Sequence, residues 1–77
     1  MPTIFKWKGW TFLFYSLDRS EPPHVHARKD KKELKLWLLP VRLAYNRRCA
    51  DHEVNAVVAF AEKNERELLD AWNRHFG

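Results

Sequence analysis

Four short segments alternate apolar and polar residues with a period of two, the mark of strands that bury one face. In TIFKWK, Phe5 and Trp7 fall on one side, with Ile4, Lys6 and Lys8 on the other. In WTFLFY, Trp10, Phe12 and Phe14 face Thr11, Leu13 and Tyr15 across the strand. Lys8-Gly9 between them suits a tight hairpin, because glycine accepts the positive φ that such turns need. SLDRSEPP reads as a polar loop whose Pro22-Pro23 exclude a helix and stiffen the exit. HVHARK and KELKLWL form a second hairpin, turning near Asp30-Lys31. After Leu39 the proline at position 40 ends the pattern, so VRLAYNRR reads as an irregular or one-turn connector.

From about Ala50 the period becomes helical. Val54, Val57, Val58, Ala61, Leu68, Leu69, Trp72 and Phe76 share one stripe, interrupted at Asn64 and Glu65. With no Pro or Gly in between, one long helix is favoured over two. The predicted elements are strands at about 3–8, 10–16, 24–29 and 33–38 and a helix at about 50–75, all in a single domain of residues 1–77. The fold class is α+β: a four-stranded antiparallel sheet of two hairpins, packed on one face by a C-terminal helix, ββββα.

One helix layer leaves one sheet face uncovered. The uniformly apolar side of the fourth strand, Leu34, Leu36 and Leu38, must meet the helix, and Val25 and Ala27 follow it inward. The open face then collects Lys6, Lys8, Tyr15, His24, His26, Arg28, Lys35 and Trp37. Cations interleaved with flat rings suit a nucleic-acid chain, with cations on phosphates and rings on bases. The same face also suits a homodimer or a docked partner protein.

Composition adds weight to a compact fold: four Trp, five Phe and two Tyr stand within a 45% hydrophobic chain. Cys49, the only cysteine, cannot form an internal disulfide, which fits a reducing cytoplasm. Neither a membrane-length apolar run nor a signal-peptide core is present in the sequence, so a cytoplasmic protein without a membrane partner is expected. Charge is divided along the chain. Residues 1–50 hold eleven Lys/Arg against four Asp/Glu, a net of +7, and residues 51–77 hold three against six, a net of −3. A basic front joined to an acidic back points to an anionic partner for the front.

His24-Val25-His26 is the stretch with candidate chemistry, and three roles are open. A zinc site would need further ligands from Cys49, His52 or His75. Metal-free acid–base cleavage of an RNA phosphodiester would use His24 and His26 as proton carriers and Arg28, Lys29 or Lys35 on the phosphate. The third role is non-catalytic: two polar residues, hydrogen-bonded or in contact with a partner. No cofactor is expected for any reading except the metal one.

The MPTI start, FYS, EPPHVHARKD, the KLWL-P strand and the final LLDAWNRHFG together resemble the domain of unknown function 4160 family over essentially the whole chain. The resemblance implies a small prokaryotic or phage-associated protein, often encoded beside a domain of unknown function 2442 protein. It implies the toxin of a toxin–antitoxin pair, with a small cognate antitoxin-like partner and RNA or DNA as a target. Only the histidine motif carries over by residue, to His24 and His26. The chain departs from the family at the helix start, where Arg48, Cys49 and Ala50 replace a Gly-Phe-Ser run. Glu53 is kept, but Ala50 offers no side-chain acceptor, so Asp51 is the expected replacement cap.

Overall fold

A computed structural model describes residues 3–15 and 18–77. Five strands, β1 (Thr3–Trp7), β2 (Trp10–Leu13), β3 (His24–Lys29), β4 (Lys32–Leu38) and β5 (Val41–Arg47), precede two helices, α1 (Asp51–Lys63) and α2 (Glu65–Phe76). The sheet is an antiparallel meander in the order β1-β2-β3-β4-β5. The α+β class and the antiparallel sheet are as expected, but there is a fifth strand and the helix is divided. The predicted end of the second strand at Ser16, the start of the polar loop at Ser16-Leu17 and the Met1-Pro2 start lie outside the described residues.

The hairpins form where the sequence marks them. Lys8 (φ 48°) and Gly9 (φ 84°) both lie at positive φ between the paired Trp7 and Trp10, the pattern of a two-residue hairpin loop matched to strand twist. Asp30 (φ 56°) serves the β3–β4 turn, a conformation that short polar side chains tolerate better than most.

The fifth strand corrects the connector reading. Pro40 sits in the turn between β4 and β5 and does not end the sheet. Lys35 pairs with Tyr45 but Leu36 pairs with Leu43, so Ala44 is an extra residue in β5. That bulge shifts the phase of alternation within the strand, which is why a period-two reading fails across VRLAYNR.

The core lies between the sheet and the helices. Phe12, Val25, Ala27, Leu34, Leu36, Leu38, Val57, Ala61 and Leu68 are fully buried, with Trp10, Phe14 and Trp72 nearly so. Each fully buried Leu or Phe contributes about 1.5–3 kcal/mol relative to exposure. Aromatic rings join the layers: Trp7 stacks on Phe60 at 4.4 Å, and Phe14 meets Trp72 edge-on at 5.3 Å. The residues expected inward in the four predicted strands do face the core. Ile4, expected on the other side, packs against it as well, where a register shift between Thr3 and Phe5 breaks the alternation, and Leu13, expected outward, is buried too.

Asn64 divides the helix. Its backbone (φ −115°, ψ 22°) leaves the helical region, and its Nδ2 donates to the Phe60 carbonyl at 2.8 Å. An asparagine amide competing for a helix carbonyl offers the backbone an alternative to continuing, without Pro or Gly. The first helix starts at Asp51 with Ala50 as its N-cap, so Asp51 does not take over the cap. Glu53 alone serves it, accepting from the Ala50 N–H at 2.9 Å.

Candidate functional site

Cross-strand pairing sets out the face opposite the helices row by row. Lys6, Thr11, Arg28, Glu33 and Arg47 form one row across the five strands. Leu13, His26, Lys35 and Tyr45 form the next, and His24, Trp37 and Arg42 the one beyond. His24, His26, Arg28, Lys35 and Trp37 therefore share the registration expected of them. Their exposure differs from the expectation. His24 is 0% exposed and His26 6%, so neither stands in solvent.

His24 is held by its surroundings. Its Nδ1–H donates to the Pro22 carbonyl at 2.9 Å, so Pro22-Pro23 fix the ring as well as the entry to β3. Trp37 and Trp72 flank it, with ring centroids at 5.6 and 5.1 Å. Packed between rings from the sheet and from α2, this histidine ties the two layers together.

His26 leads to the centre of the site. Its Nδ1–H donates to Glu33 Oε2 at 3.2 Å, and Tyr15 packs edge-on against the ring at 4.3 Å. Glu33 is 7% exposed and gathers the donors around it. Tyr45 donates its hydroxyl to the same oxygen at 2.8 Å and Tyr15 at 3.4 Å, while Arg28 Nε lies 3.5 Å from Oε1. Arg28 and Arg47 are its direct neighbours on the flanking strands. Such a carboxylate is held by charge-assisted hydrogen bonds and by cations on both sides. Burial, then the bond to Glu33, pushes the Tyr45 hydroxyl up to about 12. Burial and the Glu33 charge raise Tyr15 as well. Both phenols keep their protons at neutral pH and act as donors.

The cations divide into two sets. Lys35, expected to meet phosphate, pairs with Glu21 and lies over Trp37 at 4.8 Å. Lys8 is in the β1–β2 turn with its Nζ over Trp7 at 5.4 Å, off the sheet face where it was expected. Lys32 pairs with Glu53 at 2.6 Å. That pair holds the Glu53 carboxyl below the usual carboxylate range and raises the Lys32 amine. The second set lies where the β3–β4 turn meets the end of β5. Arg28, Lys31, Arg47 and Arg48 line a groove of about 520 Å³, with Asp30 the only acid among the described residues that line it. No ion pair among the described residues involves Lys31, Arg47 or Arg48.

Glu33, Tyr45, Lys31, Arg47 and Arg48 were not among the site residues expected from sequence. Glu33 shares its strand parity with Lys35 and Trp37 in KELKLWL, and an acid among cations is the signal available for it. Tyr45 and the two arginines needed the fifth strand. Among the described residues no group of three or more His, Cys, Asp or Glu comes together in a way that could hold a metal ion. Cys49 has its thiol pushed up by burial and by the Glu53 charge, the opposite of an activated nucleophile. No helix among the described residues is long and apolar enough to cross a membrane.

A five-stranded antiparallel meander backed by two helices, with a charged network on its helix-free face, defines the class of small α+β protein to which the chain belongs. Residues 9–73 match the family model described as Domain of unknown function (DUF4160), and the chain belongs to that family. No curated protein and no solved structure matches it.

Proposed function

We propose that the chain is the toxin-like member of a toxin–antitoxin pair and acts by engaging RNA at the basic end of its helix-free sheet face. The observation that carries this reading is the groove of Arg28, Lys31, Arg47 and Arg48, where four cations meet one acid. Guanidinium groups match phosphate geometry bidentately, and several on one strip of surface suit a polyanionic backbone. Tyr45, 40% exposed and next to Lys35 across the strands, offers a ring at the border of the groove for a base to stack on.

A second reading, RNA cleavage, draws on the contacts of Glu33. Its Oε2 faces His26 and Tyr45, and Arg28 is beside its other oxygen. A carboxylate and an imidazole in contact are a pair able to take and return a proton, and Arg28 would steady the phosphate. His24, packed between two tryptophans, has no part in it.

A growth assay tests both. Induction of the protein alone should arrest growth, and the combined Arg28→Ala, Arg47→Ala and Arg48→Ala changes should relieve the arrest with the fold intact by circular dichroism. Absence of arrest, or arrest indifferent to those changes, would overturn the RNA reading. Cleavage requires in addition that His26→Ala and Glu33→Gln relieve the arrest while RNA binding persists.

A further inference from the structure

The meander leaves two sheet edges, and they differ. β1 is five residues long and bulged between Thr3 and Phe5, which blunts it. β5 is seven residues long, and among the described residues no backbone–backbone hydrogen bond outside the sheet ladders involves it; its Arg47 carbonyl accepts from Cys49 Sγ at 3.6 Å. Among the described residues, the large apolar side chains that stay exposed gather there: Leu39 (70%) in the turn before it, and Leu43 (43%) and Tyr45 (40%) on it. The bulge at Ala44 distributes its side chains. Arg42, Tyr45 and Arg47 follow the helix-free rows of Trp37, Lys35 and Glu33, and Leu43 follows the core row of Leu36.

We propose that β5 receives an extended segment of a partner protein as a sixth strand, with carboxylates against Arg42 and Arg47 and an apolar side chain against Leu43. An open strand edge supplies main-chain hydrogen bonds to an incoming strand, and the alternating side chains select it. The spacing follows from β4, where the residues paired with Arg42 and Arg47, Trp37 and Glu33, lie four apart. The incoming segment therefore carries Asp or Glu at positions i and i+4, with apolar residues between on the other face. A second copy of the chain fits worse. Antiparallel pairing of two β5 strands about the Ala44–Tyr45 bond sets Arg42 opposite Arg47, and pairing about Tyr45 sets Arg42 opposite Arg48, like charges face to face. RNA would meet the arginines but has no use for Leu43 or for a row of strand amides. The inference does not rest on RNA binding, and of the residues it uses only Arg47 lines the groove.

The test uses the full chain and the probe peptide Ser-Thr-Glu-Val-Thr-Val-Glu-Thr-Ser, with a counterpart carrying Lys for both Glu. Amide hydrogen exchange is followed by NMR. The Glu peptide should slow exchange at amides within 41–47 by about tenfold or more at saturation, and leave β1 unchanged. Arg42→Glu and Leu43→Lys, both at exposed positions, should each weaken it about tenfold while the spectrum stays folded. Arg42→Glu should leave RNA affinity at the groove unchanged, so the two readings fail separately. Lack of protection on β5, equal binding of the Lys peptide, or equal protection by a short single-stranded RNA would overturn the proposal. So would a dimer in sedimentation that Leu43→Lys dissolves.

Discussion

Glu33 shows what a single residue demands of its surroundings. A carboxylate 7% exposed on a sheet face must have its charge answered locally, and four side chains, from β3, from β5 and from just beyond β2, do so. The consequence can be read from the tyrosines. The chain has only two, and both are raised above the usual 10.0, Tyr45 to about 12. A group whose folded pKa lies above its unfolded one contributes stability that is complete below the unfolded value and lost as pH rises through the folded value. Stability should therefore fall between pH 10 and about 12 as unfolded Tyr45 ionises and folded Tyr45 does not. Absorbance at 295 nm should show late ionisation of both phenols, and Tyr45→Phe should remove the later one. Two phenols titrating together at 10 would count against the network. The site was half legible in sequence: alternation put His24, His26, Arg28 and Glu33 on the right face. Their burial was not legible, because the rings that cover them come from beyond β2, from β5 and from α2, contacts that no local pattern records.

At the scale of elements, a local rule held wherever packing and propensity agreed and failed where one residue changed the phase. The first four strands announce themselves because one face of each is apolar. Ala44 and Asn64 are the failures: an extra residue that reverses alternation within β5, and an amide that takes a carbonyl from its own helix. Neither residue type is forbidden in the element it interrupts, so composition gives no warning. Ala50 is a third local irregularity, and it can be repaired. It occupies an extended N-cap (φ −75°, ψ 160°) and makes no side-chain bond to the first turn of α1. A serine there would accept from the Glu53 N–H while Glu53 keeps its bond to the backbone of residue 50. Ala50→Ser should stabilise the protein by about 1 kcal/mol. In thermal unfolding that is a rise of about 4–8 °C for a chain of this size, and an unchanged midpoint would show that α1 does not begin where it is placed.

Over the whole molecule, the charge division of the sequence becomes a division in space. The β1–β2 turn, the β3–β4 turn and the end of β5 lie at one end of the meander, so Lys8, Lys31 and Arg48 share that end, spread across the width of the sheet, although forty residues separate the first from the last. The net negative segment forms the helices, which cover the other face of the sheet. A polyanion approaching the sheet is thus drawn to one end of one face, and the attraction should be screened by salt. Binding of a single-stranded RNA measured across salt concentrations gives the number of phosphates neutralised, with a slope of about −0.7 per contact in log K against log salt. Removing Arg28, Arg47 and Arg48 together should flatten that slope by about two. Arg42→Ala, at the other end of β5, should leave it unchanged. A slope that Arg42→Ala flattens as much as the groove variants do would mean that RNA follows net charge alone, and that the groove has no share in choosing where it binds.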